Sequence, residues 1–160
     1  MAEKNVELVR RAYEAFEARN IEGLLDLVHP EVDWVPITAL VAGGQRYQGR
    51  YGVGEWYRFV TVNWADYRQQ PTELRGVGDY VLALGTVLTQ TRADEPHEEI
   101  LAGWIWRVED GLIVAMHAYL DQRKALDALK ELTRGESDGP EGGPGATGAP
   151  PEGSGPIAPS

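Results

Sequence analysis

The sequence predicts an α+β fold in which helices come first and a largely antiparallel sheet follows. In the first half of the chain, apolar residues recur at steps of three and four, which is the spacing of one face of a helix. The second half consists mostly of strand-length apolar segments, and an Asp-Gly pair at 110–111 marks a hairpin turn between the last two. The predicted strands are residues 72–77, 80–91, 97–108 and 112–120.

The composition excludes several classes of function. The chain has 160 residues, no cysteine and a formal charge of −10 from 25 acidic and 15 basic residues. Disulfides, thiolate nucleophiles and cysteine-bound zinc are therefore excluded, and phosphate backbones would repel so acidic a chain, so we expect no nucleic-acid partner. The three histidines show neither HxH nor HExxH spacing, so no metal site is expected. No apolar run approaches the ~18 residues of a membrane span, and the expected location is the cytoplasm.

Two helices are predicted at the start of the chain. Asn5 is placed to cap the first, because its side chain can accept a hydrogen bond from a free backbone N–H. The apolar face of this helix includes Tyr13 and Phe16. Asn20 caps a second, shorter helix, which ends at residues 29–30, because the residue before a proline avoids the helical conformation.

A strand, a loop and two further helices complete the predicted elements. The strand covers residues 31–37, the glycine-rich loop residues 38–51 and the third helix residues 53–66. Asp121 is expected to be the N-cap of a final helix. That helix is expected to stop at Gly135, since glycine is common just after a helix C-terminus.

The closing hairpin is expected to have a three-residue loop, residues 109–111, with glycine in the left-handed conformation. Val108 would then pair with Leu112, and Trp104 with Met116. A two-residue loop would shift this register by one residue and change the pairs. One face of the hairpin is wholly apolar and is expected to line the interior; it comprises Ala102, Trp104, Trp106, Val114, Met116, Ala118 and Leu120.

The other face of the hairpin mixes apolar and polar residues. Its apolar half consists of Leu101, Ile105, Ala115 and Tyr119. A second copy of the chain is expected to cover these residues, so the sequence predicts a homodimer. His117 lies on the same face and is expected to point away from the interior.

Composition changes abruptly after Arg134, where the predicted domain, residues 1–134, ends. Gly and Pro (8 + 6) make up 14 of the 26 residues from 135 to 160, and no aromatic residue occurs there. Such a segment buries too little apolar surface to offset the entropy lost on ordering it. Residues 135–160 are therefore expected to be a disordered, acidic tail that either solubilises the protein or docks on a partner.

Five strings of the sequence resemble, in the same order, those of SnoaL-like proteins. Residues 5–16, NVELVRRAYEAF, resemble the opening helix of that family, and residues 29–34, HPEVDW, resemble the first strand. YQGR at 47–50 resembles the entry to the third helix, while EDGLI at 109–113 and AYLD at 118–121 resemble the closing hairpin and its exit. The resemblance identifies a member of the nuclear-transport-factor-two-like superfamily. It implies a cone-shaped, curved sheet wrapped around the N-terminal helices, with a small-molecule pocket and no cofactor.

The superfamily includes polyketide cyclases, ketosteroid isomerases and limonene epoxide hydrolases, and the resemblance carries their catalytic positions onto apolar residues of this chain. The cyclase aspartate and histidine fall on Ala118 and Trp104. The ketosteroid isomerase base falls on Val35, where a slip of one residue would bring in Asp33 or Trp34. The Asp-Arg-Asp set of the epoxide hydrolases falls on Gly85, Val87 and Ala118.

Four ionisable residues remain as weak candidates for catalysis. Tyr13 could donate a hydrogen bond to a bound carbonyl, or it could be an ordinary core tyrosine. His117 could titrate near neutral pH, as histidine commonly does, and act as a base. Asp33 and Asp121 carry carboxylates, with a solvated strand residue and a helix cap as the simpler interpretations. The pocket itself is expected to be lined by Tyr13, Phe16, Trp34, Val35, Tyr57, Trp104, Met116 and Ala118.

Two functions stay open at this point. The first is a pocket protein that binds an apolar or ring-type molecule, since the family's carboxylate positions are apolar. The second is a cofactor-independent isomerase, cyclase, lyase or epoxide-hydrolase-like enzyme, which would act on a polyketide- or steroid-like substrate through Tyr13 with His117 or Asp33. An ionisable side chain that reaches the interior would favour the second.

Overall fold

The computed structural model describes residues 2–41 and 45–137, in two compact units, Met1–Ala125 and Leu126–Ser160. All but the last helix lie in the first unit, and the last helix begins in the first unit and ends in the second. The helices are α1 (Ala2–Glu17), α2 (Ile21–Leu25), α3 (Thr38–Val41), α4 (Gly49–Asn63) and α5 (Gln122–Ser137). The strands are β1 (Val28–Val35), β2 (Tyr47–Gln48), β3 (Asp66–Val77), β4 (Tyr80–Gln90), β5 (Glu98–Glu109) and β6 (Leu112–Tyr119).

The six strands form one curved, unclosed sheet in the order β2-β1-β6-β5-β4-β3. Neighbouring strands are antiparallel except β1 and β6, which are parallel. The predicted α+β fold with a mixed sheet and N-terminal helices is thereby confirmed. We call the face of the sheet that packs against α1 and α4 the inner face; it carries Trp34, Trp104, Trp106, Met116 and Ala118. The opposite face is the outer face.

α1 differs from the prediction at its start, and α2 differs from it at its end, which is Leu25. α1 already begins at Ala2, so Asn5 lies inside the helix and does not cap it. The Asn5 side chain instead donates to the carbonyl of Gly78 at 3.3 Å. Asn20 caps α2 as predicted, because its Oδ1 accepts a hydrogen bond from the Gly23 N–H at 2.9 Å.

β1 begins at Val28, where the sequence predicted the last turn of a helix. Val28 is fully buried and pairs with Ile113 of β6. His29 therefore lies within the strand and does not end a helix, and its Nδ1 accepts a hydrogen bond from the Glu31 N–H at 2.9 Å. Pairing with β6 outweighs the local helical pattern here, since intrinsic propensity is only a weak preference.

The predicted loop, residues 38–51, contains α3, β2 and the start of α4, and its residues 42–44 lie outside the described part of the chain. α4 starts at Gly49, whose φ of +79° is easy only for glycine. A Cβ on Gly49 would also lie 3.0 Å from the carbonyl oxygen of Pro30. The third helix was therefore predicted to begin too late, because glycine is normally a sign of a loop.

The closing hairpin has a two-residue loop, Asp110-Gly111, and the predicted three-residue loop was wrong. Glu109 pairs with Leu112 across the loop. Both loop residues have positive φ, 53° for Asp110 and 78° for Gly111. This is the combination required by a type I′ turn, whose twist matches that of the flanking strands.

An irregularity between Arg107 and Val108 moves the register by one further residue. Trp104 therefore pairs with Ala118, whereas the prediction paired it with Met116. Because the two single-residue shifts add up to an even number, residues 115–119 keep their predicted faces. Before the irregularity only one shift applies, so the fully buried Ile113 pairs with Val108 and takes the inward place predicted for Val114. Ala102, Trp104, Trp106, Met116 and Ala118 of the predicted interior face are buried, whereas Val114 is half-buried and Leu120 is exposed.

α5 continues past Gly135, where the sequence predicted its end, and reaches Ser137. A single glycine inside a helix costs about 1 kcal/mol relative to alanine, which does not prevent the helix from continuing. Most of the predicted tail, residues 138–160, lies outside the described residues, so its disorder stays a prediction.

Candidate functional site

One contiguous cluster of ten aromatic rings joins α1 and α4 to the inner face of the sheet. Neighbouring ring centroids lie 5.1 to 6.1 Å apart, a range in which edge-to-face and offset contacts are favourable. The rings belong to Tyr13, Phe16, Trp34, Trp56, Tyr57, Phe59, Trp64, Tyr67, Trp104 and Trp106. This aromatic cluster is the candidate ligand site.

The structure brings most of the predicted pocket residues together in the core. Exposure does not exceed 7% for Tyr13, Phe16, Trp34, Trp104, Met116 and Ala118. Tyr57 is half-buried at the edge of the aromatic cluster, where its hydroxyl donates to the Arg19 carbonyl at 3.4 Å. Val35 lies on the outer face, because neighbouring residues of a strand alternate between faces. Val35 was predicted to line the pocket, but it does not face the interior.

Tyr13 is the one catalytic candidate that is buried. Its hydroxyl accepts a hydrogen bond from Trp106 Nε1 at 3.1 Å, and its ring meets those of Trp104 and Trp106 edge-on. Burial raises the pKa of Tyr13 well above its ordinary value, and the hydrogen bond from Trp106 only partly opposes this. The phenol therefore stays protonated and can act as a hydrogen-bond donor in the interior.

Asp33 and His117 lie on the outer face, away from the aromatic cluster. Asp33 forms an ion pair with Arg46 at 3.2 Å, and the two side chains are 50% and 66% exposed. The His117 ring stacks on that of Tyr119 at 4.6 Å. Desolvation and the charge of Arg46 lower the pKa of His117, against the opposing charge of Asp33. His117 is therefore neutral at pH 7, and neither residue is positioned to act on a molecule in the interior.

Asp121 forms a hydrogen bond typical of a helix cap. Its Oδ1 accepts from the Arg123 N–H at 2.8 Å at the start of α5. The neighbouring Gln122 side chain donates to the carbonyls of Gly85 and Ala102, at 3.1 and 3.2 Å. Both interactions fix the exit of the chain from β6, so the geometry favours the capping role of Asp121 over a catalytic one.

The buried polar side chains of the described residues are not acids or bases. Apart from tyrosines and tryptophans they are Thr38 and Thr89, with no buried carboxylate or imidazole in residues 2–41 and 45–137. The same ranges hold no group of three or more residues suited to a metal ion. Acid–base chemistry in this interior would depend on tyrosine alone.

Several buried donors of the aromatic cluster and its surroundings have no hydrogen-bond partner within the described part of the chain. They are Nε1 of Trp34, Trp56 and Trp104 and the hydroxyls of Tyr67 and Thr38. A buried polar atom without a partner costs about 1–3 kcal/mol. Sequence reasoning missed this feature, because residue type reveals a donor but only packing reveals whether a partner lies within reach.

Gly85, where the resemblance places an aspartate of the epoxide hydrolases, has no room for a side chain. A Cβ there would lie 2.2 Å from the carbonyl oxygen of Gln70 and 2.7 Å from the Cα of Pro71. The cause is an irregularity of β3 between Pro71 and Glu73, opposite this position. The backbone therefore excludes a carboxylate at Gly85.

An open cleft of about 860 Å³ lies beside α2 and α4, and Tyr57 and Phe59 at the edge of the aromatic cluster form part of its wall. Of the predicted pocket residues only Tyr57 lines it, together with charged and aromatic side chains such as Arg50, Arg58 and Tyr51. Tyr51 is 81% exposed. The sequence did not predict this cleft, because the first turn of α4 was assigned to a loop.

A second feature that the sequence did not predict is an ionic network around Asp66 at the start of β3. The Asp66 carboxylate, 17% exposed, lies 2.9 Å from His97 Nε2, 3.1 Å from Arg68 Nε and 3.9 Å from Arg19 Nη2. Burial alone would raise the pKa of Asp66, but the hydrogen bonds from His97 and Arg68 and the charges of these two residues lower it. Arg19 and His97 are distant from Asp66 in the sequence, so no spacing pattern could have revealed their part in the network.

Replacing Asp66 by asparagine is expected to destabilise the protein by about 1 kcal/mol at pH 7, since its partners are partly exposed. A carboxyl group whose pKa is lower in the folded than in the unfolded protein stabilises the fold at pH values above its unfolded pKa, here 3.8. This stabilisation is lost as the pH falls through the folded pKa. The difference between the Asp66→Asn variant and the unaltered protein should therefore shrink below pH 4 in urea unfolding. Glu73→Gln, which removes an exposed pair with Arg75, is the control and should stay within about 0.5 kcal/mol at both pH values. If the difference in the free energy of unfolding between Asp66→Asn and the unaltered protein stayed the same at both pH values, the lowered pKa of Asp66 would be contradicted.

This α+β fold is of the type found in small-molecule-binding proteins and in cyclases or isomerases. The family model for the SnoaL-like domain matches residues 9–116, more than half of the chain. The chain belongs to the SnoaL-like family.

Solved structures agree with this assignment. An NTF2-like protein of unknown function from Burkholderia pseudomallei K96243 is 26% identical, with a TM-score of 0.65, over 78% of this chain and 95% of its own. TerC, co-crystallised with polyporic acid, is also 26% identical, with a TM-score of 0.65, over 79% of this chain and 98% of its own. A protein of Shewanella denitrificans OS-217, assigned as a SnoaL-like polyketide cyclase, shares the fold at 10% identity and a TM-score of 0.61, over 79% of this chain and 96% of its own.

A comparison with curated proteins found no match. None of the helices in the described ranges is long and apolar enough to cross a membrane.

Proposed function

We propose that this protein binds a small, apolar, ring-type molecule between α1, α4 and the inner face of the sheet. The observation that carries the proposal is the aromatic cluster of ten rings. Flat apolar rings bury a large area against aromatic walls, and each Å² removed from water contributes about 25 cal/mol. An interior without buried carboxylates among the described residues suits such a ligand better than a charged one.

The similarity to TerC supports a ring-type ligand, because that protein was crystallised with polyporic acid at 26% identity to this chain. The two chains align over nearly the whole of TerC, so the comparison covers the region of the aromatic cluster. Polyporic acid is therefore the first probe for this protein.

Native mass spectrometry of the purified protein should show a mass increment from a bound small molecule. Titration with polyporic acid should also quench the tryptophan fluorescence saturably, because all five tryptophans belong to the aromatic cluster. Tyr51→Ala, at an 81% exposed residue of the cleft beside α4 that is not part of the aromatic cluster, should leave the dissociation constant unchanged. A protein that shows neither a bound mass nor saturable quenching would contradict the proposal, and loss of binding in Tyr51→Ala would move the ligand to the cleft.

A second function, a cofactor-independent isomerase or cyclase, is favoured by one observation, the buried and protonated Tyr13. Such an enzyme also needs a base, and none is buried within the described ranges. Binding without turnover is therefore our expectation. A ring ketone incubated with the protein in D₂O should exchange its α-protons no faster than in buffer; faster exchange that Tyr13→Phe abolishes would establish the enzyme instead.

We further propose a homodimer through the outer face of β5 and β6, in the cytoplasm. Leu101 is 62% exposed there, and Ala115 and Tyr119 are half-buried, whereas Ile105 is only 4% exposed and is already covered within one chain. Light scattering at micromolar concentration should give the mass of a dimer, and Leu101→Glu should shift it to a monomer. Val62→Glu, at an apolar residue of α4 that is 74% exposed, should leave the dimer intact. A monomeric unaltered protein would rule out this interface.

A further inference from the structure

We propose that the cleft beside α2 and α4 binds an aromatic carboxylate, with its carboxylate group over Gly54 between the side chains of Arg50 and Arg58. The site lies on the surface of α4 and takes an anion, so it goes beyond the apolar ligand proposed for the aromatic cluster. Three features of the cleft carry the proposal: a glycine that contacts within the chain do not explain, two arginines that no carboxylate of the described residues pairs with, and an apolar wall.

Gly54 lies in the middle of α4, where a glycine needs a reason. The two earlier glycines of this helix have one, because Gly49 has a φ of +79° and a Cβ on Gly52 would lie 3.1 Å from that of Tyr47. A Cβ on Gly54 would meet nothing within 4 Å. Since glycine inside a helix is less stable than alanine, this position carries a cost that packing within the chain does not offset. Gly54 lines the cleft, so its missing side chain gives a ligand close access to the helix backbone.

Arg50 and Arg58 lie four residues before and four residues after Gly54, on the same side of the helix. At about 1.5 Å per residue, each is about 6 Å from Gly54 along the helix axis, a distance that a long arginine side chain can span. No carboxylate of the described residues forms an ion pair with either arginine. Arg50 Nε donates to the Val28 carbonyl at 3.0 Å, which holds the guanidinium beside the cleft and leaves its two terminal nitrogens for an anion.

The electrostatic surroundings also favour an anion over Gly54. Arg50 lies in the first turn of α4, where the helix dipole disfavours a positive charge, and this turn holds no acidic residue. Among the described residues the lining includes one carboxylate, that of Glu55, which lies about 100° round the helix from Gly54. Desolvation and the charge of Glu55 raise the pKa of Tyr47, against a hydrogen bond with Gln45 that lowers it, so Glu55 acts on the Tyr47 end of the cleft. A ligand carboxylate between the two arginines therefore gains their charge without displacing an internal partner.

The remaining wall of the cleft indicates that the ligand carries a ring. Ile21 and Leu25 of α2 and the ring of Tyr57 line the cleft, and all three are half-buried. The volume of about 860 Å³ lies within the usual range for small-molecule sites, about 300–1,000 Å³. A flat ring against these side chains would remove apolar area from water, while the guanidinium groups form charge-assisted hydrogen bonds with the carboxylate.

The test compares 2-naphthoate with 2-naphthamide, which has nearly the same shape without the charge, by calorimetric titration of the full chain. The unaltered protein should bind 2-naphthoate at least about ten-fold more tightly than 2-naphthamide. Arg58→Gln should remove most of this preference. Arg92→Gln makes the same change in net charge at an exposed residue that does not line the cleft, and it should keep the preference. Equal binding of the two probes, binding of neither at millimolar concentration, or an unchanged preference in Arg58→Gln would overturn the site.

Gly54→Leu provides a second measurement in a variant that should fold. Leucine is a good helix former and a Cβ at this position meets nothing within 4 Å, so Tm should stay the same or rise. The leucine side chain fills the space proposed for the carboxylate, so the affinity for 2-naphthoate should fall at least about ten-fold. Undiminished binding of 2-naphthoate by Gly54→Leu would contradict the site, and so would a fall in Tm of several degrees, because it would show that the space over Gly54 is already filled.

Discussion

Replacing Gly85 by alanine is expected to destabilise the protein by about 3 kcal/mol or more, which is at the upper end of overpacking effects. The added Cβ would lie 2.2 Å from the Gln70 carbonyl oxygen and 2.7 Å from the Cα of Pro71. Both contacts are with backbone atoms in the middle of a paired strand, so no flexible side chain can move aside. Urea unfolding followed by circular dichroism measures the loss.

Gly54→Ala is the matched control for this prediction. Gly54 lies in α4, and a Cβ there would meet nothing within 4 Å. Since glycine inside a helix is less stable than alanine, this change should stabilise the protein by about 0.5–1 kcal/mol. If Gly85→Ala were tolerated as well as Gly54→Ala, the bulge of β3 against β4 would be wrongly placed.

Replacing Trp56 by alanine is expected to cost about 3–5 kcal/mol of stability, the range found for aromatic residues removed from a core. Trp56 is fully buried, and its ring packs against those of Phe16 at 5.1 Å and Trp34 at 5.4 Å. It therefore connects α4 to both α1 and β1. Its loss leaves a cavity at the junction of three elements, which thermal and urea unfolding would both report.

Tyr51→Ala removes an aromatic ring from the same helix but at an 81% exposed position. Its effect should stay within about 0.5 kcal/mol, as for most surface substitutions. A Trp56→Ala variant as stable as Tyr51→Ala would contradict the central place of the aromatic cluster in the core.

The sequence was sufficient for the fold and for the residues that share the inner face, but not for the pairs between strands. The face of Trp104 follows from simple alternation, which a register error of two residues does not disturb. The loop at Asp110-Gly111 was wrong because a type I′ turn and a three-residue turn with a bulge both favour Gly at this position. The irregularity opposite Arg107 and Val108 leaves Val114 of β6 without a paired residue, and the residue types around it give no local signal of a bulge.

The candidate site was predictable in its side chains and not in its hydrogen bonds. Tyr13 and Trp104 were expected to face the interior from their periodicity alone. Trp106 Nε1 donates to the Tyr13 hydroxyl, whereas Trp104 Nε1 has no partner among the described residues, and this difference depends on separations set by tertiary packing. The network of Asp66 and His97 was missed for the same reason, because it joins the start of β3 to the segment after α1 and the segment before β5, which local patterns do not relate.

The parallel pairing of β1 with β6 has a consequence for the order in which this protein folds. β3, β4, β5 and β6 follow one another in the sequence and pair in the same succession, so each contact closes only a short stretch of chain. β1 can add to the sheet only after β6 is in place, and doing so closes a loop that contains most of the first unit. Because distant contacts form slowly, we expect the four-strand meander to be the folding nucleus and the docking of β1 to be the late step. Destabilising changes in β1 should then speed unfolding and leave the rate of folding almost unchanged.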